Sequence, residues 1–142
     1  MKIIDSYRII NIILAGIIGL VFIYSCLFLP EEGNHLIPSF YSDLTGKTSP
    51  SLGLSRAFSA LVRGQFDLAD QFNPHAKNIF AFLCFQFIFR LLSLGIDKMP
   101  FLNKRTWISV DILLSILLFT LAFLPLIEFT LQTVGEVINT II

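Results

Sequence analysis

The feature that most constrains this chain is residues 9–30, a run with no charged side chain at all. At 1.5 Å per residue, a helix over that run crosses a hydrocarbon core of about 30 Å. A soluble domain of this size would have to bury such a segment on every side. Composition points the same way, with 55% hydrophobic residues, 14% charged residues and a mean hydropathy of +0.79. A typical soluble domain carries roughly 25% charge. A cleaved signal peptide is the rival for this segment, with MKIIDSYR as its basic leader. The apolar run exceeds the roughly 7–15 residues of such a signal and lacks a small-x-small cleavage site, so an uncleaved span is expected.

Two further segments read as spans. Residues 107–130 carry only Asp111 near the start and Glu128 near the end, with Pro125 toward the far end as a kink point. Residues 76–97 are apolar and Phe-rich apart from Gln86, Arg90 and flanking lysines. The expected fold is all-α: a single membrane domain over 1–142 with three transmembrane helices, at about 9–30, 76–97 and 107–130. A short helix–Gly–helix unit falls within the extramembrane or interfacial segment 31–75. Lys2 and Arg8 precede the first span, and Lys98, Lys104 and Arg105 crowd the second connection. The positive-inside rule therefore places the amino terminus in the cytoplasm and the carboxyl terminus outside. Lys47, Arg56, Arg63 and Lys77 on the outer side weigh against that orientation.

Several function classes lack support. Net charge is zero and no basic block is present, which speaks against nucleic acid as a partner. Cys26 and Cys84 lie in apolar spans and read as small buried hydrophobes. His35 and His75 are forty residues apart with no ligand-spaced companion, so neither a metal nor another cofactor is expected. Ser49, Ser51, Ser55 and Ser59 have no evident histidine base apart from His75. No catalytic residue is assigned, and the chain reads as a non-enzyme.

The outer segment changes character at Gly53. Leu54, Ala57, Phe58 and Leu61 recur at helical spacing and define one apolar face, while Arg56 and Arg63, seven apart, share a polar one. Gly64 is placed to end that helix in the left-handed conformation. Phe66, Ala69 and Phe72 continue the apolar pattern, with Asp67 and Asp70 facing polar partners. Asn73 caps the next span, and Pro74 suits its first helical position.

Two arginines stand out. Arg56, close behind Gly53 and Ser55, either pairs with Asp67 or Asp70 or offers its fork, with the positive helix end, to a phosphate or carboxylate. Arg63 is a second candidate for such an anion, and lipid headgroups are the nearest source. Arg90 lies about seven residues inside the second span, counted from an inner boundary near Asp97. A charge there must pair, snorkel or contact a partner protein. Asp111, one turn into the third span, is the expected ion-pair partner, and Gln86, one turn from Arg90, joins them.

The run Ser49-Pro50-Ser51-Leu52-Gly53-Leu54-Ser55-Arg56-Ala57, followed by Leu61, Gly64, Ala69 and Asn73-Pro74, resembles the bacterial membrane family known as domain of unknown function 2752. Members of that family carry CPxCGxTRA, then a leucine, a glycine, an alanine and an NP entering the next span. The resemblance covers roughly residues 40–94. The motif's cysteines fall on Ser49 and Leu52, and its threonine on Ser55, so cysteine-based metal or redox chemistry is not carried over. The resemblance implies a bacterial inner membrane and names no reaction. The leading expectation is a small non-catalytic subunit packed against a larger membrane protein, with membrane lipid and self-association as further partners. The alternatives are a module binding a lipid headgroup or small anion through Arg56, and a component of an oligomeric transporter.

Overall fold

The structure, a computed structural model, describes residues 2–31, 50–95 and 103–141. The expectations placed on His35, Lys47, Ser49, Asp97 and Lys98 fall outside them. Among the described residues there are five helices: α1 (Lys2–Leu27), α2 (Leu54–Leu61), α3 (Phe66–Phe72), α4 (Ala76–Ser93) and α5 (Lys104–Ile141). Three of them are long and apolar enough to cross a membrane: α1 over Ser6–Leu27, α4 over Ala76–Ser93 and α5 over Lys104–Gly135. This supports a multi-pass membrane protein. Ile9, Ile13, Ile17, Leu20, Ile88, Leu92, Leu113 and Leu117 are all more than half exposed on the outside of these helices. In water that surface would be a severe cost; acyl chains solvate it.

The observed helices differ in length from the expected spans. α4 ends at Ser93, so Arg90 lies in its last turn rather than deep in the span, where a cation also suits the negative helix end. The largest difference is α5, which does not stop near Thr130 but continues to Ile141. Its 38 residues measure about 57 Å, nearly twice the core of a bilayer. Hydroxyls along it satisfy themselves on the preceding turn: Thr120 donates to the Ile116 carbonyl at 2.9 Å and Thr130 to Leu126 at 2.8 Å. Pro125, inside the helix, withholds the N–H that would have met the Leu121 carbonyl.

α2 and α3 fold back against the outer ends of α1 and α4. Small residues let the helices approach: Ala57, Ala60, Ala69 and Ala76 are completely buried, surrounded by Phe58, Leu61 and Ile79. Phe123 and Leu126 of α5 lean on the same cluster. Aromatic rings continue the packing inward, with Phe80 edge-on to both Phe22 and Phe58. The α2–α3 turn is a Schellman motif: Gln65 N–H donates to the Ala60 carbonyl and Gly64 N–H to Leu61, both at 3.0 Å, with Gly64 at φ +74°.

Candidate functional site

Two polar clusters sit at opposite ends of the bundle. The outer one is built on α2. Helix α1 ends at Leu27, and the carbonyls of its last turn have no partner within the helix. Arg63 reaches across to them: its Nη1 donates to the Ser25 carbonyl at 3.0 Å and its Nη2 to the Cys26 carbonyl at 2.8 Å. A third bond, Nη1 to the Ser59 carbonyl at 2.7 Å, braces the guanidinium against its own helix. A cation on a carboxyl-terminal turn also complements the helix dipole. Arg56 follows the same chain a few residues on, donating from Nε to the Pro30 carbonyl at 2.9 Å, while its guanidinium lies 4.1 Å from the centre of the Phe72 ring. The two arginines that sequence reasoning offered to an anion are thus directed at the exit of the first span.

The proposed partners of Arg56 are placed elsewhere. Asp70 forms an ion pair with Lys77 at 2.6 Å on the surface. Asp67 is exposed in the first turn of α3, where a carboxylate suits the positive helix end. Gly53 precedes α2 at φ +74°, and a Cβ there would lie 2.5 Å from the Phe72 carbonyl oxygen. The loop and the end of α3 touch at backbone distance, which only glycine allows. Ser55 contributes its carbonyl, which accepts from the Ser59 hydroxyl at 3.1 Å.

Asn73 closes the outer unit. Its Oδ1 accepts from His75 N–H at 2.9 Å, capping the turn formed by Pro74 and His75 that leads into α4. Its Nδ2 donates to the Pro50 carbonyl at 2.7 Å and to Leu52 at 2.9 Å, tying the loop before α2 to the start of α4. The side chain has one acceptor and two donors engaged, and the residue is buried.

The inner cluster crosses all three long helices. Arg90 Nη1 meets Asp111 Oδ2 at 2.5 Å, with both residues buried. Around that pair, Arg90 donates to Asn11 Oδ1 at 2.9 Å, to Gln86 Oε1 at 2.9 Å and to the Ser115 hydroxyl at 2.6 Å. Asp111 also accepts from the Tyr7 hydroxyl at 2.6 Å and from Ser115 at 3.1 Å. Asn11 Nδ2 turns back to the Tyr7 carbonyl at 3.0 Å. Arg90 neither snorkels nor faces outward. Single-charge logic located Arg90, Asp111 and Gln86 but missed Tyr7, Asn11 and Ser115. A signal was present: each span carries two polar residues four apart, Tyr7 and Asn11, Gln86 and Arg90, Asp111 and Ser115. That spacing puts each pair on one helix face.

Compared with known protein families, with curated proteins and with solved structures, the chain finds no match. The chemistry of the two clusters must therefore speak for itself. Among the described residues no group of three His, Cys, Asp or Glu side chains is assembled, and Cys26 and Cys84 are free thiols. His75 enters the hydrogen-bond pattern through its backbone N–H. What the clusters do is hold helices: the outer joins α2 to the end of α1, and the inner locks α1, α4 and α5 together.

Between the clusters, α1 and α4 leave an open apolar groove on the outer surface. It is lined by Ile12, Ala15, Gly16 and Gly19 of α1 and by Phe87 and Leu91 of α4, among others. Ala15 and Gly19 are a small-xxx-small pair, the spacing that admits close helix approach in lipid. Gly19 already packs on the Phe87 ring, but a Cβ on Gly16 would meet nothing within 4 Å.

Proposed function

We propose that this chain is a small non-catalytic accessory subunit of the bacterial inner membrane, packing laterally on a larger membrane protein. The observation that carries this reading is the use of the arginines. Arg56, Arg63 and Arg90 all make short bonds inside the fold. The surface left for a partner is apolar, and the α1–α4 groove offers a transmembrane helix of that partner a close approach at Gly16 and Gly19. An anion at Arg56 would compete with the Pro30 carbonyl and the Phe72 ring, which makes headgroup binding the weaker reading.

Orientation and kinship belong to the same proposal. Arg8, Lys104 and Arg105 flank the end of the bundle that holds the inner cluster, which supports a cytoplasmic amino terminus. Labelling single cysteines placed at positions 8 and 77 with a membrane-impermeant maleimide would reverse that assignment if only position 8 reacts in intact cells. We also read the chain as a divergent member of the family of unknown function named above. The positions that carry the resemblance have clear physical duties here: Gly53 at a backbone contact, Arg56 on the first span, Ala57 in the core, Gly64 in the turn and Asn73 as a cap.

The accessory reading is tested by purifying the protein from its native membrane in mild detergent, as wild type and as Gly16→Leu. A leucine fits the open side of the groove without disturbing the fold. The expected result is a stoichiometric larger protein with the wild type and its loss with Gly16→Leu. A wild-type preparation without any such protein would overturn the reading.

A further inference from the structure

The length of α5 sets up a surface that the three-span bundle does not use. Asp111 and Ser115 join it to one end of α4, and Phe123 and Leu126 lean on the cluster around Ile79 near the other end. The residues after Thr130 therefore continue past the bundle, still helical to Ile141, for about 11 residues or ~17 Å. Along the side of α5 turned away from α4 runs a stripe at alternating spacings of three and four: Val110, Leu113, Leu117, Thr120, Leu124, Ile127, Leu131, Val134 and Ile138. Val110, Leu113, Leu117, Leu131, Val134 and Ile138 are each at least half exposed, and Leu124 and Thr120 are exposed as well. The register holds for four heptads, the length at which a coiled coil becomes a specific expectation.

Lipid explains the part of the stripe inside the bilayer but not its continuation. Acyl chains solvate any apolar surface and impose no 3.5-residue period. After Thr130 the helix turns amphipathic, and Leu131, Val134 and Ile138 hold the register among Gln132, Thr133, Gly135 and Glu136. A membrane-surface helix would carry lysine or arginine on its polar side. The sequence beyond Arg105 contains neither, and its charged residues there are Asp111, Glu128 and Glu136.

We infer that this stripe is a self-association surface, on which α5 of a second copy of the chain packs in parallel. Copies of one chain insert with the same orientation, so their α5 helices present matching stripes at the same height without further design. The flanking positions agree: Glu128 falls where a parallel neighbour presents Phe123 or Thr130, so the assembly meets no like charge there. With leucine at 117, 124 and 131 and β-branched residues at 127 and 134, the core positions favour three or four copies over two.

The experiment is disulfide mapping in native membranes, with Cys26 and Cys84 changed to alanine. Single cysteines replace Leu131, Val134 and Ile138 on the stripe and Phe129 and Gln132 off it. Oxidation is expected to link copies through 131, 134 and 138 and to leave 129 and 132 monomeric. Native mass spectrometry should show three or four copies. The double change Leu131→Glu, Val134→Glu should weaken the assembly by about a hundredfold while leaving helix content unchanged. Uniform cross-linking, none, or a monomeric mass would overturn the inference. Cross-links from these positions to a different protein would also overturn it, yet leave the accessory-subunit reading standing.

Discussion

Removing Arg90 tests the inner cluster most directly. In Arg90→Met the Asp111 carboxylate, 1% exposed, loses its counter-charge and keeps only the Tyr7 and Ser115 hydroxyls as donors. Asn11 Oδ1 and Gln86 Oε1 lose their arginine bonds in the same step. Breaking one side of a buried pair costs about 3–5 kcal/mol, and the uncompensated charge dominates, because hydrogen bonds within a membrane average only ~0.6 kcal/mol each. Asp111→Leu should cost a similar amount, since it leaves the guanidinium unpaired. The double variant removes both charges and should cost at most about 2 kcal/mol, far less than the sum. The expected coupling is therefore at least about 3 kcal/mol in favour of the pair. The single tryptophan gives the assay: Trp107 stacks on Phe89 at 5.5 Å, so its emission reports the docking of α5 on α4 during denaturant titration in mixed micelles. Losses that add to within about 0.5 kcal/mol would refute the argument.

The outer unit supports two more tests. Gly53→Ala and Gly64→Ala replace glycines at the same φ of +74°, but only the first drives a Cβ into a carbonyl oxygen. Gly64→Ala should cost about 1–2 kcal/mol from left-handed strain alone, and Gly53→Ala distinctly more, as read by thermal unfolding. Equal losses would contradict the close approach to Phe72. Arg63→Gln should cost about 1–2 kcal/mol and increase amide exchange around residues 28–31, because the last-turn carbonyls of α1 lose their charged donor. Arg63→Lys should recover part of that loss, and an exchange pattern unchanged in Arg63→Gln would refute the capping role.

The spans were readable because lipid permits so few arrangements. A charge-free run of residues 9–30 has few alternatives, and an arginine inside an apolar segment demands an acid on a neighbouring helix. Arg90 and Asp111 could be paired on that ground, since a short connection makes their helices adjacent. Tyr7, Asn11 and Ser115 escaped notice because a lone neutral polar residue in a span costs little and so draws no attention; only the repetition of the four-residue spacing on three helices gives them away. The destinations of Arg56 and Arg63 were not readable at all. Their acceptors are backbone carbonyls of Pro30, Ser25 and Cys26, and every residue supplies a carbonyl. The end of α5 was misjudged for a different reason: Gln132, Thr133 and Glu136 suggested a polar tail, while the helix persists through them with its apolar side intact.

The inner cluster also bears on how the chain reaches its membrane. α4 is 18 residues long, barely the thickness of the hydrocarbon, and it carries Arg90. During synthesis that segment leaves the ribosome before Asp111 exists. Until the last helix arrives, Asn11 and Gln86 are the only neutral groups of the cluster that can shelter the guanidinium. The final helix thus acts as a delayed counter-ion, and integration of the second is completed only when the third enters. A nascent chain stopped at residue 100 should leave its second hydrophobic segment only partly inserted and open to membrane proteases, while one stopped after residue 130 should hold it firmly.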